Sequence, residues 1–584
     1  MTGLRAEFIA LALIALVGLP AAAQQPTQLL VPPQSLGAPL GGTTQPVAQP
    51  TAPPSGASGP AGQRLQDFYG GPVQRGGALA PVDNASVGIV ETAASGLPAE
   101  MWRGTDRAAA TQLIAALPGA PRSRILRDLQ FRLLTTMAVP PLGAPAPGQD
   151  FTGQRIAKLA DMGEAEAVGQ MMQASGPMSG DAAQRLNVEN QLAAGDVKNA
   201  CATPQAPASS DPFWTKLMIV CQVVAGQGAQ AMLNVDLMRE RGISDTGFYV
   251  AVDYALGTRT GKPPADIGTD LLSQALLRAV NPKASGRIND QTAPATLRQI
   301  AANTAAGLAQ RIEAAERGEA LGVIDPRQLL ELYQAGADAP GLAPQVRKRA
   351  KAVRDAVQAT ELSDKVAAMQ AAFRAAEDSA LFTTMSRVLG ELLIKIYPEH
   401  KTAPMAADTA RAFLALNDFP RAVEWYYTVA GGATIDPQYE APTVALWPVM
   451  QLADNVSSIP WEPDFLAKWQ ALNAKQRNAA RRNQVLAALL GALAEPYDRA
   501  ELPPPAQGAR FAPPPQAVLA RLAQSAPQGK VAESVALIAQ AAGETELTSL
   551  APATLNAIIV GLRQIGLPDV ARRFAVEVAL AHAL

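Results

Sequence analysis

Gly163, Gly195 and Gly226 stand 32 and 31 residues apart, and each is followed four or five positions later by an alanine: Ala167, Ala200 and Ala231. Asn417 with Ala422 and Gly566 with Ala571 repeat the arrangement further along the chain. Gly and Asn are the residues that close an α-helix in a left-handed conformation. A small residue one turn into the next helix lets the two helices approach closely, because the interaxial distance is set by the side chains at the contact. A chain punctuated in this way is restricted to short helices that double back and stack.

One unit can be read in full. Ala406, Ala410, Phe413 and Leu414 share a helix face, and Asn417-Asp418 turns the chain. Pro420 suits the first turn of the next helix, where its missing N–H costs nothing. Ala422, Val423, Tyr426, Tyr427 and Ala430 then form the expected facing stripe at amphipathic spacing. A period of 31–34 residues is the size of a tetratricopeptide unit, although 258–295 do not keep it. The expected fold class is all-α: an irregular α-solenoid of TPR-like helix pairs, of the kind that offers an extended concave face.

Composition agrees. Aromatics make up 5% of the chain, and Ala, Leu, Gln and Arg, all strong helix formers, are abundant. The formal net charge of −2 comes without a basic stripe, and nucleic-acid binding needs such a footprint.

The first residues read as an export signal. Arg5 supplies a positive n-region, Ala6 to Leu19 is apolar except for Glu7, and Ala21-Ala22-Ala23 meets the small-x-small rule for cleavage before Gln24. The apolar run is shorter than the roughly 20 residues a span needs, and no transmembrane segment is expected after cleavage. Residues 24–62 hold nine Pro, six Gly and no charge, too little apolar surface to offset ordering entropy. The expected organisation is a signal peptide at 1–23, a disordered Pro/Gly/Gln-rich tether at 24–84, a helical-repeat body at 85–500, a Pro-rich linker at 501–515 and a C-terminal helical unit at 516–584. A periplasmic location follows from the signal.

The chain has two cysteines, Cys201 and Cys221. In an oxidising compartment an even pair this close reads as a disulfide. Pro204, Pro207 and Pro212 keep the intervening stretch non-helical so that the chain can double back.

No motif survives as catalytic, cofactor-binding or metal-binding. Gly226-Gln227-Gly228-Ala229-Gln230-Ala231 imitates a dinucleotide fingerprint, but Trp214, Leu217, Met218 and Cys221 before it follow helical spacing, so it reads as a helix-pair turn. Gly257 to Pro263 imitates a phosphate loop but is one residue short and has Pro263 where a hydroxyl should hold magnesium. Glu533-Ser534 matches the pair that opens the catalytic domain of soluble lytic transglycosylases. Val535-Ala536-Leu537-Ile538 follows without the later Gly-rich motifs, so Glu533 is read as a solvated helix position. His400 and His582 are the only histidines, which disfavours a metal site.

Four of six Trp fall between 425 and 469. Trp425, Tyr426, Tyr427, Tyr439, Trp447, Trp461, Phe465 and Trp469 form the candidate partner surface, since aromatic side chains anchor interfaces and stack on sugars. The competing reading is a large core closing an irregular turn of the solenoid.

The stretches 96–108 (GLPAEMWRGTDRA), 211–242 (DPFWTKLMIVCQVVAGQGAQAMLNVDLMRERG) and 315–336 (AERGEALGVIDPRQLLELYQAG) resemble segments of large Ala-rich exported helical proteins of alphaproteobacteria, sometimes labelled antifreeze-glycopeptide-polyprotein-like. There is no Ala-Ala-Thr array here, and the resemblance implies no reaction and no catalytic residues. The expected function is that of a non-enzymatic periplasmic scaffold binding another envelope protein, such as a motility or secretion accessory. The alternative is a glycan-binding or peptidoglycan-remodelling accessory. Exposed aromatics at 425–469 along a groove would favour glycan; an apolar groove with few exposed Trp, a peptide partner.

Overall fold

The left-handed turns are where the glycine pattern puts them. In the computed structural model Gly163, Gly195, Gly226, Asn417 and Gly566 have φ between 58° and 82°. All five close their helix with the same pair of hydrogen bonds. At the first, Gly163 N donates to the Ala160 carbonyl and Glu164 N to the Leu159 carbonyl; at the last, Gly566 N donates to Arg563 and Leu567 N to Leu562. This is the Schellman arrangement, which satisfies carbonyls the helix end leaves open. The alanines that follow, Ala167, Ala200, Ala231, Ala422 and Ala571, are all buried.

The structure describes residues 84–144, 150–176, 181–203, 211–261, 270–281, 288–290, 292–377, 380–434, 436–453, 458–493 and 510–584. The expected signal peptide, nearly all of the tether, and 501–509 of the linker lie outside the described residues. Among those described, the chain is all helix and turn, with extended pairing confined to two isolated bridges, Val90 with Thr136 and Asp106 with Leu142. Many helices pack chiefly on a neighbour in sequence: Pro344–Gln358 on Leu362–Glu377, Ala406–Ala415 on Phe419–Ala433, Pro294–Ala302 on Leu308–Leu321. This is the solenoid-like stacking of helix pairs.

Two departures from a simple stack matter. The stretch from Asp181–Ala193 to Leu271–Val280 has a core of its own, built from Val188, Leu217, Val220, Val235, Phe248 and Leu276 among others. The C-terminal helices do not stand apart. Val531–Ala542 packs on Arg124–Thr135, Pro552–Gln564 on Ala479–Leu493, and Pro568–Ala581 on Glu440–Ala453 and Arg124–Thr135.

Buried charges tie this return together. Glu319, within Leu308–Leu321, accepts from Arg387 Nε at 2.5 Å and Nη2 at 3.0 Å. Arg124 Nη1 donates to the Glu319 carbonyl at 2.5 Å, and the Arg124 amide donates to Glu577 Oε1 at 2.6 Å. Ser123, the N-cap of Arg124–Thr135, also donates to Glu577. Burial raises the Glu577 carboxyl and, joined by Arg387 nearby, lowers Arg124 to about 10; the guanidinium stays charged at neutral pH. Arg155 does similar work on its own. It is buried, donates to the carbonyls of Leu134, Thr136 and Val87 at 2.8, 3.1 and 2.6 Å, and so ties the end of Arg124–Thr135 to the segment after Asn84–Ser86.

Candidate functional site

The aromatic region is mostly core. Trp425, Tyr426, Tyr439, Trp447 and Trp469 are buried, Trp461 and Phe465 are half-buried, and only Tyr427 is exposed, at 47%. This corrects the expectation of an aromatic surface. The cause is Glu440–Ala453, which contacts Ala406–Ala415, Phe419–Ala433, Pro463–Asn473, Ala479–Leu493 and Pro568–Ala581. A helix covered on so many sides is apolar around its circumference, and Leu446 to Ala453 are buried without a break. Large rings fill the space around it. Trp447 lies 4.8 Å from the Trp461 ring and 6.1 Å from Phe465, both tilted. Gly432 leaves room for Tyr439, whose ring a Cβ there would meet at 3.0 Å. The Arg482 guanidinium sits 5.6 Å over Trp469. Burial pushes the Tyr426 hydroxyl well above its ordinary value. Even exposed Tyr427 spends its hydroxyl on the Ser458 carbonyl.

The facing stripe of Phe419–Ala433 is rotated from the one expected. Ala422, Trp425, Tyr426 and Val429 are buried, at i, i+3, i+4 and i+7, and Tyr427 points outward. Three consecutive aromatics leave the phase open, because any two of them complete a helical stripe.

Glu533 is not solvated, which corrects its sequence reading. It is 5% exposed, accepts from Arg521 Nε at 2.8 Å and from Thr105 Oγ1 at 3.1 Å. The reason is that Val531–Ala542 is buried on nearly every face, so a charge on it goes inside and needs partners there. Gly226 acts as a helix-pair turn between Pro212–Val224 and Gly228–Glu240. Gly257 is also a left-handed turn residue, and part of the stretch from Gly257 to Pro263 lies outside the described residues.

Cys201 in Val197–Ala202 and Cys221 in Pro212–Val224 form a disulfide, with their Cα atoms 5.6 Å apart. It links two helices of the separate core.

On that same part of the molecule lies a feature the sequence reading passed over. Gly228–Glu240 buries Ala231, Val235 and Met238. Leu233 and Leu237 are two residues out of phase with that stripe, about 200° around the helix at 3.6 residues per turn. They are 60% and 40% exposed, and Val224 at the end of the preceding helix is 47% exposed. The signal was present as leucines in the wrong phase, a helix apolar on two opposite faces.

Among the described residues no helix is long and apolar enough to cross a membrane, and no group of three His, Cys, Asp or Glu is placed to hold a metal ion. Comparison of the chain with protein-family models, with curated proteins and with solved structures finds no match.

Proposed function

We propose that the protein is a non-enzymatic helical scaffold of the bacterial periplasm that binds another envelope protein, and that Leu233, Leu237 and Val224 belong to the contact surface. The observation that carries this reading is the exposed leucine pair at i, i+4 on the outer face of Gly228–Glu240. Helix faces of this kind dock on partner proteins through apolar anchors. The disulfide supports the same reading, since it fixes the preceding helix and belongs to an oxidising compartment. Burial of most of the aromatic set weighs against sugar stacking at 425–469, the feature on which the glycan alternative rested.

A photo-crosslinking residue at position 233, compared with one at exposed Tyr397, tests it in fractionated cells. The expected result is a discrete adduct with one envelope protein from position 233 only, recovered in the periplasmic fraction. Equal, diffuse labelling from both positions, or an adduct confined to the cytosol, contradicts it.

A further inference from the structure

A cavity of about 640 Å³ opens beside Leu308–Leu321, a volume within the range of small-molecule sites. Its lining includes a buried ion pair, Arg349 with Glu316. Arg349 Nη2 meets Glu316 Oε1 at 2.6 Å and Oε2 at 2.9 Å, and the Tyr333 hydroxyl donates to Glu316 at 2.6 Å. That pair is neutral as a unit and gives the lining a rigid polar element.

The two other guanidiniums of the lining, Arg122 and Arg317, are held differently. Arg317 Nη1 meets Asp290 Oδ1 at 2.7 Å, and Arg122 Nε lies 3.3 Å from Glu546 Oε1. The arginine side chains are 39% and 25% exposed, their acidic partners 82% and 66%. The bases are thus set into the wall and the acids stand in solvent, where ion pairs contribute little. Arg122 Nε is closed off from solvent, and among the described residues no hydrogen-bond acceptor meets it in line. The Asp290 carboxyl is held below its ordinary value by Arg317 first, with Arg122 adding to the pull, and both guanidiniums line the same cavity. Leu297, Val346 and Leu381 supply apolar wall beside them. The lining carries Arg122, Arg317 and Arg349 against Asp290, Glu313, Glu316 and Glu546, three positive groups to four negative, which disfavours a polyanion.

We propose that this cavity binds a small monocarboxylate with an apolar body. Arg317 and Arg122 take its carboxylate in place of Asp290 and Glu546, and Leu297, Val346 and Leu381 take its hydrocarbon part. Guanidinium matches carboxylate geometry through paired N–H donors. Asp290, the exposed carboxylate that Arg317 already holds, is the group that a ligand's carboxylate replaces. The inference is independent of the scaffold reading.

Calorimetric titration of the full chain with hexanoate tests it, with hexylamine as the control for the hydrocarbon alone. Expected are saturable hexanoate binding, at least tenfold weaker binding in Arg317→Gln, severalfold tighter binding in Asp290→Asn, and no saturation with hexylamine. Asp290 is exposed, so Asp290→Asn keeps the test valid if Arg317→Gln fails to fold. The proposal is overturned if neither the natural chain nor Asp290→Asn binds hexanoate, if Asp290→Asn leaves the affinity unchanged, if a folded Arg317→Gln binds as well as the natural chain, or if hexylamine binds equally.

Discussion

Gly163 and Gly226 occupy the same place in two helix pairs of the series, but their surroundings differ. Both have left-handed backbone. A Cβ on Gly226 meets nothing within 4 Å, whereas one on Gly163 meets Ala295 N at 3.0 Å and the Pro294 carbonyl carbon at 3.1 Å, at the start of Pro294–Ala302. Gly226→Ala is therefore expected to cost only the left-handed strain, about 1 kcal/mol. Gly163→Ala adds an overpacking cost and should lose about 3 kcal/mol in all. Chemical denaturation of the two variants compares them, and equal losses contradict the assigned close approach. His582 makes a second residue-level test. It is buried, its ring is hydrogen-bonded to the Leu547 backbone, and burial, aided by Arg481 and Arg482, lowers it from 6.5 to about 4. The folded state resists taking the proton that the unfolded chain accepts below pH 6.5. The His582 contribution is then full above pH 6.5, falls as pH drops from 6.5 to 4, and levels off below. The loss amounts to up to about 3 kcal/mol. His582→Gln removes that component, so its stability should fall less steeply than the natural chain's across this window; parallel curves contradict the assignment.

At the scale of elements, the disulfide has a local task. It joins Val197–Ala202 to Pro212–Val224 across a sequence separation of 20, inside the smaller core. A cross-link over such a loop stabilises by roughly 3 kcal/mol through the unfolded chain. Reduction is expected to speed amide hydrogen exchange in the helices between 188 and 276 while exchange in Arg124–Thr135 and Val531–Ala542 stays as it was; uniform acceleration throughout contradicts a separate core. Much of this level was legible in the sequence. The turns at Gly163, Gly195, Gly226, Asn417 and Gly566 and the cysteine pair depend on residues close in the chain. What was not legible depends on distant partners. Arg349 sits in phase with Ala352, Val353 and Ala356 inside a basic run, and its acid, Glu316, lies 33 residues away. Glu533 finds Thr105 from 428 residues away. No local spacing encodes such pairs. The aromatic segment was ambiguous for a related reason, since the same rings serve a core or a surface according to how many helices cover Glu440–Ala453.

For the whole molecule, the chain's return on itself gives the helix pairs a common frame: Glu577 and Arg124 join its last helix to one of its first, and Glu319 with Arg387 joins the middle. On that frame a surface is altered without loss of fold only where side chains stand outside the core. The central claim is that Leu233 and Leu237 are contact residues and that the 425–469 aromatics are structural. The most direct measurement is partner capture from envelope extract and thermal melting, on the same variants. Leu233→Asp with Leu237→Asp should melt as the natural chain does and lose capture by a factor of at least about 30, near 2 kcal/mol, as for an apolar anchor. Trp447→Ala should lose about 3–5 kcal/mol of stability yet capture normally at a temperature where it is folded. Undiminished capture by the double leucine variant, or loss of capture by folded Trp447→Ala, contradicts the account.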